Sequence, residues 1–460
     1  MPRVLTRHMT QLFRPFAMRA FWVLAAAALM LCSVWQHVIA ADAEPAARTF
    51  VISQFVAGFV FLAAVYMALR RSDTVSLKYV LVVGIVGRLT LLPSAPLFDD
   101  DIHRHLWDGK VLSHGVNPYL HPPGADELAH VRDHNWAQVD HPDTPTICPP
   151  LAQLLFGLSY TIGLRSVVGL KSIFFLFDVA NMLLIAALLR HLRLPTCWTL
   201  VYAWSPLAAK EFANSGHVEP VMLFFLLLAF YFWLRTGPSR TWAGIAFGAA
   251  TAVKFVPTLL LPIAWRLGRW RSIACAAAAV AALYLPFAGA GRHIFTGAGA
   301  YAQHWTFNDG AFALLCKLQS AIFPDAASLG ISPARLLAAL AVGAFAVWAA
   351  IKLKENDRVG AIAGSRNVIA VCLMLMPAVD PWYVCWLLPF MCAVPSVGLL
   401  LFTVTCNLSY LYYADNSFPV WIPLMEYVPV YLILLAEFLP RRRKPLSAIT
   451  NSPNASAGRN

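Results

Sequence analysis

The sequence has little charge for its length. Of its 460 residues, 13% are Asp, Glu, Lys or Arg, whereas 59% are hydrophobic. Soluble domains carry about 25% charged residues and 45–50% apolar ones. The shortage of charge therefore excludes an ordinary soluble enzyme. Apolar stretches long enough to cross a bilayer recur along nearly the whole chain instead.

Common metal and nucleic-acid signatures are also missing. The nine cysteines show no CxxC spacing and the sequence contains no HExxH, so neither a zinc centre nor a structural disulfide is expected. The net charge of +12 comes without a basic stripe interleaved with aromatic residues, which excludes nucleic acid as a partner. Lys and Arg cluster instead at the ends of apolar segments, as the cytoplasmic flanks of membrane helices do.

The apolar segments predict an all-α polytopic membrane protein. Placing the positive flanks on one side predicts about 12–14 transmembrane helices, with both chain ends in the cytoplasm. Segment 151–164 is too short for a comfortable span, so we expect a surface or re-entrant helix there. The candidate spans are 20–40, 50–69, 78–96, 166–190, 196–213, 218–235, a hairpin at 242–265 broken by Lys254 and Pro257, 272–288, 333–352, 365–379, 382–395, 397–413 and 423–440.

The two ends of the chain carry separate expectations. Four arginines precede the apolar run 21–39, a pattern that fits a signal anchor or a cleaved signal peptide, and the length of the run favours the anchor. We expect residues 1–440 to form a single transmembrane domain. The basic, Ser- and Asn-containing segment 441–460 is expected to be a disordered cytoplasmic tail.

One large loop, residues 97–148, differs in composition from the rest of the chain. It holds nine of the 23 acidic residues and seven of the 13 histidines, and it contains only three basic residues. By the predicted topology this loop lies outside the cytoplasm. A passive connector does not require such a composition, although a solvated acidic surface would also explain it.

The start of that loop contains three consecutive aspartates, Asp99, Asp100 and Asp101, followed by a helix-like pattern. Asp99 or Asp100 can cap a helix that begins near Asp101, and Gly115 can end it. On such a helix Asp101, His105 and Asp108 share one face. Carboxylates at the membrane surface can act as general bases, and they leave open a divalent cation, Mg or Mn.

Further polar residues fall at the predicted outer ends of other spans. They occur in the turn WSPLAAKEFANSGHVEP, in YAQHWTFNDG and in DPWYV. Ionisable groups near membrane depth are costly and are often functional. Trp305, Trp382 and Tyr383 could also serve simply as anchors at the membrane interface. The convergence of several such turns on one side is less easily explained in that way.

These segments, taken in order, resemble the GT-C superfamily of membrane glycosyltransferases, and most closely its bacterial polyprenyl-phosphate-sugar-dependent members, the mannosyltransferases and family-87-like proteins. The resemblance rests on FDDDIHRHLWDGKVLSHGVNPY, HPDTPTICPPLAQLLF, WSPLAAKEFANSGHVEP, AVKFVPTLLLPIAW, YAQHWTFNDG and DPWYVCWLLPF, which together span about residues 85 to 395. This chain has Cys148, His103 and His105 where the family motifs usually have aromatic residues.

The resemblance implies a GT-C-like bundle with an extracytoplasmic catalytic loop. It implies inverting transfer of a hexose, mannose above all, from a polyprenyl-phosphate donor to a glycan, lipid or other envelope acceptor at the outer face of the bacterial inner membrane. Membrane lipids are expected partners as well. One of Asp99, Asp100 and Asp101 would be the catalytic base. The residues expected to bind substrate are Arg104, His105, Trp107, Asp108, Asn117, Tyr119, Glu211, His217, Lys254, His304, Trp305, Asp380, Trp382 and Tyr383.

Two other classes of function remain open from the residues alone. A polytopic transporter or lipid-linked sugar flippase would also be a bundle of apolar helices, but such proteins often show internal repeats with polar sites near the midplane. This sequence shows no convincing repeat. A non-catalytic scaffold for an envelope assembly is the third reading.

Overall fold

A computed structural model of the chain describes residues 2–42, 46–235, 240–322 and 332–439. Within these ranges the backbone is helical, and the only extended pairing is an isolated bridge between Phe307 and Ala378. The prediction of an all-α protein is therefore confirmed. The segment expected to be a disordered tail, 441–460, lies outside the described residues.

In the described ranges, eight helices are long and apolar enough to cross a membrane. The protein is thus a multi-pass membrane protein, as its composition predicts. Shorter apolar helices occur at Glu219–Trp233 and Phe312–Ile322, and the total of about 12–14 crossings stays a prediction. The eight are Ala17–Ile39, Ala47–Arg70, Val167–His191, Val256–His304, Pro333–Lys352, Arg358–Leu375, Val397–Asp415 and Trp421–Phe438.

The break predicted at Lys254 and Pro257 is present. Helix Arg240–Thr251 ends before Lys254, and a 3-10 turn at Val256–Leu260 leads into Leu261–Tyr284. That last helix is itself interrupted at Arg269, whose φ is 58°. Gly244 lies so close to the backbone of Ser272 that a Cβ there would be 2.3 Å from its carbonyl oxygen. Gly248 meets Ala276 in the same way, so the part of Leu261–Tyr284 that follows Arg269 packs beside Arg240–Thr251 and runs in the same direction.

Two predicted spans are not continuous helices. Segment 196–213 is divided into Thr196–Thr199, Leu200–Ala203 and Pro206–Ala208, followed by a π-helix at Ala209–Ser215. Pro206 cannot donate a backbone hydrogen bond, and the Ser205 side chain accepts from the amide of Ala208 to start the next turn. Irregular backbone of this kind is tolerated at membrane depth only when surrounded by protein, and residues 199–215 are almost all buried.

The second interrupted span is 382–395. It consists of Pro381–Val384, Cys385–Leu387 and Leu388–Met391, which are almost entirely buried. Prolines at the starts of the first and last of these pieces remove two amide donors and favour the interruptions. The two irregular segments meet inside the bundle: the Trp382 ring stacks on that of His217, which follows the π-helix.

The acidic loop folds onto the bundle through the predicted helix, which is Asp101–Ser113. Gly115 follows it with a φ of +79°, consistent with the predicted stop. The helix packs on Pro150–Thr161, which is the short helix expected at 151–164. A Cβ on Gly109 would lie 2.4 Å from the carbonyl oxygen of Phe156, so only glycine permits this close approach.

Phe98 fixes the direction in which the chain enters this helix. Its φ of 55° is unusual for a bulky residue. The ring packs against Phe50, Tyr410 and Tyr413, with centroid distances of 5.2, 5.9 and 5.5 Å. These contacts hold a strained backbone immediately before Asp99, and strain of this kind clusters at functional sites.

Candidate active site

Two aspartates of the acidic loop meet a histidine from the irregular segment that precedes Glu219–Trp233. His217 Nε2 lies 2.9 Å from a carboxylate oxygen of Asp99, and His217 Nδ1 lies 3.7 Å from one of Asp101. Asp99 and His217 are almost completely buried, whereas the Asp101 side chain is 52% exposed. We call Asp99, Asp101 and His217 the acidic cluster.

The start of the loop helix sets the positions of the three aspartates. The Asp99 carboxylate accepts a hydrogen bond from the backbone N–H of Asp101 at 2.9 Å, so Asp99 rather than Asp100 satisfies a free amide of the first turn. Asp100 occupies the N-cap position without a side-chain cap bond and is exposed. The three adjacent carboxylates therefore have different surroundings: that of Asp99 is buried, whereas those of Asp100 and Asp101 are open to solvent.

His217 is fixed by backbone geometry and by a stacked ring. Gly216 before it has a φ of 82°, and a Cβ there would be 2.7 Å from the side chain of Lys171. The imidazole stacks on Trp382 with 4.0 Å between centroids and 22° between planes. The π-helix at Ala209–Ser215 leads into this turn, and such helices occur frequently at functional sites.

A buried network lies directly beneath the acidic cluster. Glu211 Oε2 is 3.4 Å from His217 Nε2, and Lys210 Nζ is 3.2 Å from the same Glu211 oxygen. The Tyr410 hydroxyl donates to Glu211 Oε1 at 2.6 Å and accepts from Lys210. Burying charges is costly unless they are paired and hydrogen-bonded, and here each charged group has an opposite partner.

A second ion pair borders the cluster. Lys254, in the predicted break, pairs with the fully buried Glu219. The Lys254 ammonium lies over the rings of Tyr383 and Trp386, 4.6 and 5.6 Å from their centroids. Lys254 remains 26% exposed, so its charge is accessible from the site as well as paired.

The charges of the cluster act on one another. Burial by itself would lower the pKa of His217, but the Asp99 carboxylate outweighs it and raises the pKa to about 10, so the ring is protonated at neutral pH. Desolvation, followed by repulsion from Asp99, raises the pKa of Asp101 to about 6 against the opposing charges of His217 and Lys254. Burial would likewise raise the pKa of Asp99, but His217 and Lys210 outweigh it and lower that pKa.

Asp380 belongs to the same electrostatic system. It lies just before Pro381–Val384. Burial, followed by the charges of Asp101 and Asp99, raises the pKa of Asp380 to about 8. Asp380 is therefore protonated at neutral pH and can donate a hydrogen bond, whereas Asp101 is largely ionised.

Several residues expected to bind substrate instead join the loop helix to its neighbours. Arg104 pairs with Asp108 at 2.9 Å and donates to the carbonyl oxygen of Thr144, while Gln153 donates to the other Asp108 oxygen. His105 stacks on Phe156 at 4.5 Å. Asp101, His105 and Asp108 thus do not act together: the last two face the helix Pro150–Thr161, and only Asp101 reaches the acidic cluster.

Other expected binding residues also pack within the protein. Trp107 is 1% exposed and lies in a small hydrophobic core inside the loop. Asn117 donates to the carbonyl oxygen of Phe287, and the Tyr119 hydroxyl donates to that of Cys148. These contacts attach the loop to the bundle, and a role of these three side chains in binding substrate stays a prediction.

The residues expected from the turn YAQHWTFNDG, His304 and Trp305, differ in their surroundings. The His304 side chain is exposed, and no contact within the described part of the chain joins it to the acidic cluster. Trp305 is half-buried and packs against Tyr301 and His141. Glu211, His217, Lys254, Asp380, Trp382 and Tyr383 gather around Asp101, as the convergence of the turns predicts.

Tyr410, Tyr301 and Lys210 belong to the site but are absent from the expected set. Lys210 was visible in the polar turn before Glu219, adjacent to Glu211. Tyr301 opens the polar turn YAQHWTFNDG but was not selected, whereas Tyr410 lies in an aromatic stretch where sequence gives no reason to select one tyrosine over the next. Only the tertiary contacts identify them.

The acidic cluster also fits the chemistry of a divalent cation. One ligand atom each from Asp99, Asp101 and His217 lie within 4.8 Å of one another. Two carboxylates and one imidazole suit Mn²⁺ better than Mg²⁺, which prefers oxygen ligands. Binding of a metal by His217 would require its neutral form.

In the described ranges, the acidic cluster lies where the loop 97–148 folds onto a bundle of apolar helices. Residues 16–268 match the family model of the alpha-(1->6)-mannopyranosyltransferase N-terminal domain, the MptA_B family. The match covers more than half of the chain, and the protein belongs to this family. It is therefore a membrane glycosyltransferase of the mannosyltransferase type, which agrees with the GT-C resemblance. No curated protein and no solved structure matches the chain.

The matched region contains most of the site. It includes the acidic cluster, Glu211 and Lys254, whereas Asp380 and Trp382 lie beyond its end. The family assignment favours an enzyme over the transporter and scaffold readings. A mannosyltransferase takes a sugar donor and transfers to a glycan acceptor, and these are the partners that the family establishes in general terms.

Proposed function

We propose that the protein transfers mannose from a polyprenyl-phosphate donor to a cell-envelope glycan or lipid, with inversion, at the outer face of the bacterial inner membrane. Membership of a mannosyltransferase family supports the transferred sugar. The observation that carries the proposed site is the acidic cluster, in which half-exposed Asp101 borders the buried pair Asp99–His217.

We assign the role of general base to Asp101. A base must reach the acceptor hydroxyl, and among the two carboxylates of the cluster only that of Asp101 is open to solvent. Its pKa of about 6 leaves it ionised at neutral pH yet more basic than an ordinary carboxylate. Asp99 is paired with His217, and this pairing lowers its pKa and makes it a poor proton acceptor.

The reaction is a single displacement. Asp101 removes the proton from an acceptor hydroxyl as the hydroxyl oxygen attacks the anomeric carbon of the donor sugar. The bond from that carbon to the phosphate oxygen breaks, and polyprenyl phosphate leaves with the bonding electron pair. One displacement inverts the anomeric configuration and forms no sugar–enzyme intermediate. The transition state resembles the oxocarbenium ion of glycoside cleavage.

Lys254 is the cation best placed for the leaving phosphate. It is partly exposed, it borders the cluster, and its present partner Glu219 lies on the buried side. His217, in contrast, is enclosed by Asp99, Glu211 and Trp382. The positive charge of His217 lowers the pKa values of Asp99 and Asp101, so we assign it a positioning role. The Lys254 ammonium lowers the barrier because it is already oriented towards the phosphate before negative charge develops there.

A lipid-linked donor is consistent with a site formed by membrane-embedded elements. Lys254 lies between apolar helices, and the Trp382 turn begins an apolar segment. A polyprenyl chain could therefore remain in the bilayer while its phosphate reaches the cluster. The described residues form one helical bundle with the loop 97–148 folded onto it.

Transfer by the purified full-length protein tests this proposal. The protein in lipid nanodiscs is supplied with radiolabelled polyprenyl-phosphate mannose or with GDP-mannose, together with an α-(1→6)-linked mannoside acceptor. We expect product only from the polyprenyl donor, and NMR of the product should show the anomeric configuration opposite to that of the donor. Product from GDP-mannose, or retained configuration, would contradict the proposal.

A further inference from the structure

Aromatic side chains lead from the acidic cluster towards the surface of the large loop. The Tyr383 and Tyr301 hydroxyls lie 2.8 Å apart. The Trp305 ring is 5.5 Å from that of Tyr301, and the His141 ring is 4.7 Å from that of Trp305. We call Tyr383, Tyr301, Trp305 and His141 the aromatic track. It begins beside Lys254, which lies over Tyr383.

Three segments that are distant in the chain supply the track. Tyr383 belongs to Pro381–Val384, and Tyr301 belongs to Thr296–His304, which ends just before Trp305. His141 comes from the acidic loop. Contact between adjacent rings of one helix would follow from local packing alone. The meeting of three separate segments requires the tertiary fold.

The outer end of the track is held in an uncommon backbone conformation. His141 has a φ of 48°, and its backbone N–H donates to the Asp140 carboxylate at 2.8 Å. The Thr144 amide donates to the His141 carbonyl oxygen, which closes the turn. The His141 side chain is nevertheless 55% exposed. The turn therefore directs an imidazole against Trp305 without enclosing it.

The track has exposed polar edges. Trp305 is half-buried, and its indole N–H has no acceptor in the ranges that the structure describes. At the outer end, His141 Nε2 lies 3.1 Å from a carboxylate oxygen of Asp140, and both side chains are more than half exposed. A pyranose ring presents an apolar C–H face and a rim of hydroxyls, which match an aromatic surface with hydrogen-bonding groups at its edges. The carboxylate of Asp140 would repel an anionic lipid headgroup but accept hydrogen bonds from neutral sugars.

We propose that the partly exposed part of the aromatic track, from Tyr301 to His141, is the acceptor-glycan site, and that it holds the neutral sugar rings behind the one that receives mannose. This rests on the proposed transfer at Asp101. Tyr383 is only 6% exposed, and it positions Tyr301 through the contact between their hydroxyls. The terminal sugar lies at the cluster and the remainder of the chain extends past Tyr301 and Trp305 towards His141. Binding energy from these remote rings can be used at the reacting centre, so a longer acceptor should react faster at low concentration.

Acceptors of two lengths test the track. The full-length protein receives polyprenyl-phosphate mannose and either a di- or a pentasaccharide of α-(1→6)-linked mannose on the same aglycone. In Trp305→Ala, kcat/KM for the pentasaccharide should fall on the order of tenfold, the equivalent of one stacked ring, while that for the disaccharide changes little. Trp421→Ala is the matched control, since Trp421 is 52% exposed at the start of the last span and outside the track.

Two results would overturn the inference. If Trp305→Ala reduced transfer to both acceptors equally, as an interface anchor would, the track would not bind sugar. The second result is equal kcat/KM for the two acceptors in the wild type and no change of either value in Trp305→Ala or His141→Ala. The remote sugar rings would then make no contact with the aromatic track. His141→Ala changes an exposed side chain and so covers the case in which Trp305→Ala fails to fold.

Binding without turnover separates this inference from the proposed reaction. Saturation-transfer NMR of the pentasaccharide with the Asp101→Asn variant needs neither donor nor catalysis. We expect signal from the sugars behind the terminal one, and its loss when Trp305→Ala is added. An absence of transfer with retained binding would refute the proposed donor alone, whereas equal signal with and without Trp305 would refute the track.

Discussion

The imidazole of His217 and the carboxylate of Asp99 form a buried pair, with Nε2 2.9 Å from the carboxylate oxygen. The pair joins the acidic loop to the turn before Glu219–Trp233. The pair also acts on Asp101, two residues after Asp99: the Asp99 charge raises the pKa of Asp101 and the His217 charge lowers it, so the proton affinity of Asp101 depends on whether both are charged.

The activity should depend on pH through Asp101. Because the pKa of Asp101 is raised to about 6, the base is ionised above that pH and protonated below it. We therefore expect kcat/KM for transfer to rise with pH through about 6 and to level off below the pKa of Asp380, which is about 8, while His217, with a pKa of about 10, stays protonated. Transfer rates in buffers of constant ionic strength measure the profile.

The His217→Gln variant tests the cause of that profile. It removes a positive charge that lowers the pKa of Asp101, so the rise of kcat/KM with pH should occur at a higher pH. A rise at the same pH in the wild type and in His217→Gln would show that another group controls it.

Replacement of Lys254 should impair use of the donor. Lys254→Gln leaves the buried Glu219 without its cation and removes a charge near the leaving phosphate. We expect kcat/KM for the donor to fall roughly 10²- to 10³-fold, a loss typical of one electrostatic group at a reacting centre. Lys254→Arg keeps the charge and should retain more activity. Equal losses in the two variants would indicate a steric role rather than a charge.

Gly216 should tolerate no side chain. Its φ of 82° lies in the left-handed region, and a Cβ would meet Lys171 at 2.7 Å. Gly216→Ala should cost about 1–2 kcal/mol in strain and displace His217, with loss of transfer. Thermal unfolding in detergent and the transfer assay measure the two effects. Wild-type behaviour in both would show that the turn relaxes without moving the imidazole.

A buried ion pair away from the site offers a test of the fold. Arg88 and Asp178 are each 1% exposed and pair directly, and Arg88 also donates to the carbonyl oxygens of Gly84 and Ala203. Asp178→Asn should destabilise the protein by about 3–5 kcal/mol, because it leaves a buried cation without its partner. The double variant Arg88→Met, Asp178→Leu should recover part of that loss. No change in the unfolding midpoint of Asp178→Asn would contradict this.

Local signals predicted the parts of the fold that depend on nearby residues. The helix starting at Asp101 follows from an acidic N-terminus and the stop at Gly115. The break at Lys254 follows from Pro257. The sequence also selected the turns that converge on Asp101, since polar groups inside apolar stretches are unusual.

Hydropathy could not distinguish a span from a buried, broken segment. Residues 196–213 are apolar enough for a helix, but the Ser205–Pro206 step and the π-helix divide them. Burial among other helices, rather than exposure to lipid, makes that irregular backbone stable. The same limit explains why Tyr410 was not selected: its hydroxyl matters only because Glu211 and Lys210 lie beside it.

Helical spacing alone did not identify which side chains of the helix Asp101–Ser113 reach the acidic cluster. Asp101, His105 and Asp108 do share helical spacing, yet Arg104 and Gln153 engage Asp108 and Phe156 stacks on His105. Which polar face meets substrate and which meets a neighbouring helix depends on how Pro150–Thr161 docks. That contact is not encoded in the periodicity of either helix.

The most direct test of the central claim is the transfer rate of Asp101→Asn beside that of Asp100→Asn. The two residues are adjacent, but Asp101 lies in the acidic cluster whereas Asp100 is exposed and has no described side-chain contact with His217. With saturating polyprenyl-phosphate mannose and acceptor, we expect Asp101→Asn to lose about 10²- to 10⁴-fold in kcat, as removal of a general base does, and Asp100→Asn to stay near the wild type. Near-normal transfer by a folded Asp101→Asn, or a larger loss in Asp100→Asn, would contradict the account.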